Sequence, residues 1–466
     1  MRNFLWIFIF TIGWSWAQEI PSDLKIDSSF AFIQGYSSSS LLRLKKHFDQ
    51  ADTDKFVIIH YGGSHIQAEN PTSVIRNKLQ ERFGSGGRGL MFNYGAANTY
   101  SSINYSSTFA GKWSYNKSFQ GKKQGLPLGV CGMVVESNDS SAYLQFGLKK
   151  AIESGEKLIT VFFENDSISA GLALFVNDKP LDPLNEKSYG NTYSFSDSII
   201  SIQVVPVFHN KNQRFRFYAL NIENIKNSGV VYHSTGVGAA AYRSMLILEK
   251  LPEQAQVLKP DLVILDFGTN DILYHNRIES SLIKEVEKAI FNWKQINPEI
   301  LIVLTSTQDL FYKNKSIDAC LSFRNLMDSL ARSNDCLFWN WYDLSGGFNT
   351  IRKWNALGYA KSDNIHLTKM GYQIKGSLLY DSFINTLNLV SKNSKIGELT
   401  IPLKNYEISA PKEISAPPKT NRIYTVKSGD TLSEIAAKYG ISVTKLKRFN
   451  HLSSDMIRVG QRIKIP

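Results

Sequence analysis

The sequence of 466 residues predicts a three-layer α/β/α domain with a parallel sheet, a β-rich insertion within it and a small βααβ domain after it. Three observations support this fold class. Apolar runs alternate with amphipathic helical patterns in two separate stretches of the chain. The stretch between them has the alternation and frequent turn signals of antiparallel strands. A short patterned segment follows a proline-rich linker near the end.

The first residues, 1–17, have the pattern of a signal peptide. A positively charged start precedes the apolar run Phe4–Trp16, which is too short to span a bilayer comfortably. Small residues at Ser15 and Ala17 favour cleavage after Ala17, and an uncleaved anchor is the alternative. No later segment has about 18 consecutive apolar residues. The mature protein is therefore expected in the periplasm or cell envelope, without an integral membrane span.

Charge and cysteine content restrict the partners. The net charge of +12 indicates acidic surroundings. For an exported protein, anionic envelope polymers or membrane surfaces are expected rather than nucleic acid. The three cysteines, Cys131, Cys320 and Cys336, are too few for a disulfide scaffold and lack metal-ligand spacing. Cys320 and Cys336 either pair in an oxidising compartment or remain free and buried. No metal or other cofactor is expected.

The α/β domain is expected to comprise residues 18–99 and 228–392. Apolar runs predict five buried strands: Phe56–Tyr61, Gly229–His233, Leu262–Phe267, Ile300–Thr305 and Cys336–Trp341. Amphipathic patterns predict five helices: Pro71–Phe83, Ala239–Leu251, Ser280–Ile296, Ile317–Ser333 and Lys369–Val390. Because strands alternate with helices, the sheet should be parallel and covered on both faces.

Residues 100–227 interrupt this alternation. Segments such as "KLITVFFEN" and "SIISIQVVPVF" read as strands, and "FVNDKPLD" indicates a hairpin turn. We expect a sandwich-like insertion between the first and second strands, or a long elaboration without a role of its own. A linker at residues 393–422 follows the last helix. Its second half is rich in Pro, Ser and Lys and should be extended.

Polar turns at the ends of predicted strands, and one loop before the last helix, carry candidate catalytic groups. They contain Ser64, Gly238, Asn270 and the pair Asp363 and His366. Each turn alone is also explained by local turn chemistry. The carboxyl ends of parallel strands share one sheet edge, where ligands bind. A serine nucleophile needs a base and an orienter, roles that fit Ser64, His366 and Asp363. The backbone N–H groups of Ser64 and Gly238 and the Asn270 amide are candidate oxyanion donors.

This order of Ser, Gly, Asn and Asp-x-x-His resembles the SGNH/GDSL hydrolase superfamily. The segments "YGGSH", "STGVGAA", "GTND" and "DNIH" match its blocks, over roughly residues 56–98 and 229–389. The resemblance implies that Ser64 is the nucleophile and that His366 is the general base, oriented by Asp363. It also implies that the three donors named above form the oxyanion hole, with Gly236 as the alternative to Gly238.

One position departs from that pattern, because Gly63 stands where the family usually has aspartate. The aspartate is not a triad member, so the triad is complete, but turn rigidity and activity are in question. His65 and Gln67 are expected to line the substrate pocket. "FGSGGRGL" satisfies G-x-G-x-x-G but follows a helical pattern. We interpret it as a flexible loop near the site and not as a nucleotide-binding turn.

The last segment, residues 423–466, resembles a LysM module over nearly its whole length. "YTVKSGDTLSEIAAKYG" predicts a strand, a turn and a helix, with a capping box between Thr431 and Glu434. The resemblance implies binding of glycans that contain N-acetylglucosamine, chiefly peptidoglycan or chitin, or else protein contacts alone. The expected glycan groove is formed by Gly429, Asp430, Thr431, Leu432, Met456 and Ile457.

A signal peptide, an esterase-like triad and a glycan-binding module together predict an exported serine esterase. Its expected substrate is cell-wall glycan, with O-acetyl groups of peptidoglycan as the esters that it cleaves. The β-rich insertion resembles one found in some bacterial peptidoglycan O-acetylesterases, which is an analogy of fold. The alternatives are a non-catalytic peptidoglycan-binding scaffold and an esterase that acts on another glycan or on lipid.

Overall fold

A computed structural model describes residues 21–123, 125–393, 395–406, 422–426, 430–439, 441, 443–450, 452 and 454–465. The predicted signal peptide and most of the predicted linker lie outside these ranges. The chain divides into two units, Met1–Asn405 and Tyr406–Pro466. Among the described helices, none combines the length and the apolar character that a membrane span requires.

The larger unit is built on a mixed sheet that contains every strand predicted from an apolar run. These strands are Phe56–Gly62, Val230–Gly236, Leu262–Asp266, Leu301–Thr305 and Leu337–Trp339. They are parallel to one another, and Phe56–Gly62 lies between Val230–Gly236 and Leu262–Asp266. All its residues are buried. Because successive side chains point to opposite faces, both faces of this strand are covered. The predicted α/β class is confirmed.

Four of the five predicted helices are present, with bounds within two residues of the prediction: Asn70–Phe83, Ser280–Ile296, Ala319–Ser333 and Lys369–Lys392. Shorter α-helices comprise Ser38–Asp49, Ser64–Gln67, Leu251–Leu258, Thr269–Ile272, Trp341–Leu344 and Ile351–Ala356. Short 3₁₀ helices comprise Ser28–Phe30, Ser118–Gln120 and Tyr242–Ile247.

The prediction of one helix over Ala239–Leu251 is wrong. Ala239 has a φ of 65°, outside the helical region. A 3₁₀ helix then follows at Tyr242–Ile247, and an α-helix begins only at Leu251. Pro252 lies in the first turn of that helix, where its missing N–H leaves no intrahelical bond unmade. The apolar residues that predicted one helix therefore belong to two separate elements, a 3₁₀ helix and the start of an α-helix.

Strands of residues 100–227 form two layers. One layer is a separate antiparallel sheet, in the order Lys179–Leu181, Gly171–Val176, Ile199–Val207, Tyr143–Ile152 and Tyr105–Ala110. The remaining strands continue the main sheet: Ser114–Lys117, Met133–Ser137, Lys157–Phe163, Asn185–Lys187, Gly190–Phe195 and Phe215–Asn224. Phe146 of the first layer packs on Phe217 of the second, with ring centroids 6.1 Å apart. The insertion is thus sandwich-like, and one of its layers is part of the main sheet.

The segment "FGSGGRGL" is not a flexible loop, contrary to the prediction. Its residues begin the strand Ser85–Met91, which pairs with Val230–Gly236 on one side and with Phe215–Asn224 on the other. Gly87 has a φ of 133°, and a Cβ there would lie 2.4 Å from the neighbouring backbone. The glycines therefore allow three strands to approach closely, which is a common use of glycine within a sheet.

The smaller unit has the predicted βααβ order. Its strands Arg422–Thr425 and Arg462–Ile465 pair antiparallel, and its helices are Leu432–Lys438 and Val443–Phe449. The capping box is also confirmed. The Glu434 N–H donates to Thr431 Oγ1 at 3.2 Å, and the Thr431 N–H donates to Glu434 Oε2 at 3.0 Å.

The cysteines are buried free thiols. Cys320 and Cys336 are not paired, which resolves the alternative that the sequence left open. Burial raises the pKa of both thiols, so neither is an ionised nucleophile at neutral pH.

Candidate active site

The structure brings Ser64, His366 and Asp363 into one hydrogen-bonded chain. Ser64 Oγ lies 3.0 Å from His366 Nε2, and His366 Nδ1 lies 2.8 Å from Asp363 Oδ2. If Nδ1 carries the imidazole proton and donates a hydrogen bond to Asp363, Nε2 is free to accept the proton of Ser64. The three side chains therefore have the geometry of a nucleophile, a base and an orienting carboxylate.

The carboxylate of Asp363 is held by its own loop. The backbone N–H groups of Ile365 and His366 both donate to Asp363 Oδ1, each at 2.9 Å. Partial burial raises the pKa of Asp363, but these bonds and the bond from the imidazole outweigh it and leave the pKa below its usual value. Asp363 is thus ionised at neutral pH and stabilises a positive charge on His366.

The nucleophile turn depends on glycine at Gly62. Ser64 begins the short helix Ser64–Gln67 directly after the central strand. A Cβ at Gly62 would lie 2.4 Å from Ile66 Cγ1 and 2.8 Å from the Asp266 carbonyl oxygen. A Cβ at Gly63 would lie 3.3 Å from Asn270 Nδ2, a tight but adjustable contact. The side chain absent at Gly63 would therefore stand next to Asn270.

The predicted oxyanion donors line the same cavity as Ser64 and His366, with a volume of about 370 Å³. The Asn270 amide donates to the Ala240 carbonyl at 2.9 Å. An asparagine amide has two N–H groups, and this bond uses one of them. The Gly238 N–H donates to Gln67 Oε1 at 2.7 Å. Gly238 can therefore serve an oxyanion only after this bond to Gln67 is broken.

Gln67 does not line the cavity, contrary to the prediction. Its side chain is fully buried, and its amide donates to Thr99 Oγ1 at 3.0 Å and to the Tyr100 carbonyl at 2.8 Å. Together with the bond from Gly238, these contacts satisfy its amide behind the cavity wall. Gln67 thus links the turn that contains Gly238 to the start of the insertion at Tyr100.

His65 does line the cavity, and it leads to a buried network that the sequence did not predict. His65 Nε2 lies 3.1 Å from Asp266 Oδ2, as the first of three basic groups around this carboxylate. Lys375 Nζ lies 2.7 Å and His60 Nε2 3.3 Å from the same oxygen. Thr305 donates its hydroxyl to the other oxygen at 3.0 Å. The network joins the nucleophile turn, the strand before Asn270 and the last helix.

The charges of this network follow from burial and pairing. Burial alone would raise the pKa of Asp266, but Lys375 and His65 outweigh it and hold the pKa well below its usual value. Burial lowers the pKa of His65 to about 4, so its imidazole is neutral at neutral pH. The centre of the network is accordingly an ion pair between Asp266 and Lys375, with neutral histidines beside it.

Sequence reasoning also missed residues that position the catalytic groups. The Tyr100 hydroxyl donates to the Ser64 carbonyl at 3.0 Å. Gln308 donates to the Ile365 carbonyl at 2.8 Å and accepts from the Trp341 indole at 3.2 Å. Gln308 thus fixes the loop that carries His366. Its position just after the buried strand Leu301–Thr305 was the available signal, since residues at strand ends face this sheet edge.

The residues of the predicted glycan groove in the smaller unit differ in how far they are exposed to solvent. Gly429 lies outside the described residues. Asp430 accepts a hydrogen bond from the Tyr424 hydroxyl at 2.8 Å. Leu432 is only 2% exposed and packs in the core of this unit, with Ile457 against that core. Met456 is 86% exposed, which leaves it accessible to a ligand.

Family models match two parts of the chain. Residues 197–374 match the GDSL-like Lipase/Acylhydrolase family, and residues 424–466 match the LysM domain. The chain contains a GDSL-like hydrolase domain and a LysM domain. The GDSL-like match includes Asn270, Asp363 and His366 and begins after Ser64. The match thus begins within the insertion, at residue 197, and does not include the candidate nucleophile.

Curated relatives match limited stretches of this two-domain chain. It is 59% identical over 44 residues to an autolysin of Enterococcus faecalis, covering 9% of this chain and 6% of that protein. It is 31% identical over 110 residues to the N-acetylmuramoyl-L-alanine amidase sle1 of Staphylococcus epidermidis, covering 24% of this chain and 34% of that protein. The chain thus spans a small part of these curated relatives.

A solved structure of a peptidoglycan O-acetylesterase shares the fold. It superposes with a TM-score of 0.63 at 17% identity and covers 77% of this chain and 99% of that chain. The likeness extends well beyond residues 197–374, so the solved structure also has counterparts to parts of the chain outside the GDSL-like match.

Proposed function

We propose that this protein is an exported serine esterase that removes O-acetyl groups from cell-wall glycan, most directly from peptidoglycan. The observation that carries this proposal is the row of hydrogen bonds that links Ser64, His366 and Asp363. Ser64 and His366 line a cavity in which a substrate could bind. In this proposal the LysM domain binds glycan that contains N-acetylglucosamine and keeps the esterase at the cell envelope.

The proposed reaction has two steps. Ser64 Oγ bonds to the acetyl carbonyl carbon while His366 Nε2 takes the hydroxyl proton. The tetrahedral intermediate then expels the sugar oxygen, which takes the proton from His366 and leaves an acetyl group on Ser64. In the second step His366 takes a proton from water as the water oxygen bonds to the acetyl carbon. The bond between that carbon and Ser64 Oγ then breaks, Ser64 regains the proton from His366, and acetic acid leaves and ionises to acetate. Asp363 remains ionised throughout and stabilises the imidazolium.

The absence of aspartate at Gly63 does not favour the non-catalytic scaffold. A side chain at that position would face Asn270, and the triad distances are already short without it. On the other side of Ser64, His65 Nε2 lies 3.1 Å from Asp266 Oδ2. We infer that this buried contact stabilises the turn in place of the usual aspartate.

Acetate release from three substrates tests the proposed function. Purified protein is incubated with O-acetylated peptidoglycan, acetylated xylan and a lipid ester, with the Ser64→Ala variant as the blank. We expect release from peptidoglycan to be the fastest. Faster release from xylan or lipid would replace the proposed substrate, and no release above the blank would support the scaffold alternative.

Replacing Asn270 with alanine should lower kcat by roughly 10²–10³-fold with little change in KM. The reason is that its amide would bond most strongly to the oxyanion, which exists only near the transition state. Steady-state rates on p-nitrophenyl acetate measure both constants. Asn212→Ala, in an exposed turn of the insertion, is the matched control. A change in KM alone would contradict an oxyanion role for Asn270.

A further inference from the structure

Two tyrosines line the catalytic cavity without contacting the triad. Tyr274 exposes 69% of its surface, and its ring packs edge to face on Tyr312, with centroids 5.9 Å apart. Both line the same cavity as Ser64 and His366. Single exposed aromatic residues are ordinary on a protein surface. A pair that forms part of a catalytic cavity instead offers a surface to a substrate.

The turn that carries Tyr274 is tied to the hairpin that carries Tyr312. This hairpin consists of Phe311–Tyr312 and Lys315–Ser316, joined by two residues with positive φ, which is typical of a type I′ turn. Asn276 donates to the Ser316 carbonyl at 3.4 Å and accepts from the Ala319 N–H at 3.0 Å. Hydrogen bonds therefore hold the turn that carries Tyr274 next to the hairpin that carries Tyr312.

The same hairpin is attached to the catalytic loop. The Phe311 N–H donates to the carbonyl of Asn364, which lies between Asp363 and His366, at 3.1 Å. The Arg352 guanidinium lies over the Phe311 ring, 4.7 Å from its centroid. The tyrosine pair is thus fixed relative to the candidate base, and a fixed surface loses little entropy when a ligand binds.

We propose that Tyr274 and Tyr312 form a subsite that holds one pyranose ring of the glycan beside the acetyl ester. This proposal rests on the proposed function and adds to it a determinant of substrate choice. A pyranose ring presents C–H groups on its faces and hydroxyls on its edge. Tyrosine matches both, because it combines an apolar ring with a polar tip.

The size of the cavity favours a sugar over a long acyl chain. Four tyrosines line it, together with polar side chains such as Thr269, Asn270 and Gln308. Its volume of about 370 Å³ is near the lower end of the range for ligand pockets, about 300–1,000 Å³. An extended lipid chain would require a longer and less polar slot.

Comparison of two substrates tests the subsite. Tyr274→Ala should keep kcat/KM for p-nitrophenyl acetate, which has no sugar, within about twofold. It should lower kcat/KM for O-acetylated peptidoglycan by about tenfold, mainly through KM, since the lost stacking contributes about equally to ground and transition states. Tyr274→Phe keeps the ring and should retain most of the activity. Phe291→Ala removes an exposed ring from the helix Ser280–Ile296 and is the control.

Three outcomes would overturn the subsite. An unchanged rate on peptidoglycan excludes a contact with the glycan. An equal loss on both substrates indicates a structural role for Tyr274. A selective loss on p-nitrophenyl hexanoate indicates that the tyrosines hold an acyl chain.

Failure of the esterase proposal remains distinguishable from failure of the subsite. If the wild-type protein hydrolyses neither substrate, calorimetric titration of the full chain with a disaccharide of N-acetylglucosamine and N-acetylmuramic acid still tests the tyrosines. In the Ser64→Ala background, adding Tyr274→Ala should remove one binding site per chain. An unchanged stoichiometry and affinity would overturn the subsite.

Discussion

Replacing Ser64 with alanine is expected to lower kcat for ester hydrolysis by roughly 10⁴–10⁶-fold. Ser64 Oγ is the atom that would bond to the substrate, and it lies 3.0 Å from the base that would take its proton. Its removal leaves the oxyanion donors in place, which alone give only a small residual rate. Initial rates on p-nitrophenyl acetate and labelling by a fluorophosphonate probe measure the loss.

Two controls accompany this variant. Ser106→Ala, in an exposed position of the insertion, should leave the rate unchanged. Ser64→Ala should also sediment with insoluble peptidoglycan to the same extent as the wild-type protein, because the LysM domain is a separate unit. A wild-type rate no higher than that of Ser64→Ala would exclude the catalytic assignment and leave glycan binding as the function.

Replacing Lys375 with methionine should lower the free energy of unfolding at neutral pH by about 3–5 kcal/mol. Lys375 and Asp266 are both almost fully buried, and their charged atoms lie 2.7 Å apart. Methionine removes one charge and leaves the buried Asp266 carboxylate without its cationic partner. Urea unfolding curves measure the loss. Lys369→Met, at an exposed position of the same helix, should change stability little.

The pH dependence of the Lys375→Met variant identifies the cause of its loss. In the wild-type protein the pKa of Asp266 lies below its unfolded value of about 4, so its contribution is present above that pH and is lost as the pH falls further. In Lys375→Met, without the lysine charge, we expect burial to raise the pKa of Asp266 above the unfolded value. Stability should then fall as the pH rises from about 4. A loss that is independent of pH would indicate a packing defect.

The parallel strands and the triad were predictable because their causes are local in the sequence. A strand buried on both faces has a nearly continuous apolar run, as Phe56–Gly62 and Leu262–Asp266 do apart from His60 and Asp266. The candidate catalytic residues follow these runs or precede a helix, at the sheet edge where ligands bind. The order of Ser64, Asn270 and His366 along the chain then matched a known family pattern.

The strand Ser85–Met91 and the buried network were not predictable because their causes lie far away in the sequence. A glycine-rich strand carries no apolar pattern, and only its neighbours in the sheet explain it. Asp266 and Lys375 are 109 residues apart, and each residue type is usually exposed. Their burial became interpretable only when the fold placed one opposite the other.

Backbone hydrogen bonds join the strand Phe215–Asn224 of the insertion to the strand Ser85–Met91 of the main sheet. These bonds determine whether the insertion can be removed from the protein. A chain without residues 100–227 would lose Phe215–Asn224, the antiparallel partner of Ser85–Met91. It would then expose a row of unpaired backbone groups on a glycine-rich edge, which is a template for aggregation. The insertion therefore covers this edge of the main sheet, whereas the LysM domain belongs to a separate unit.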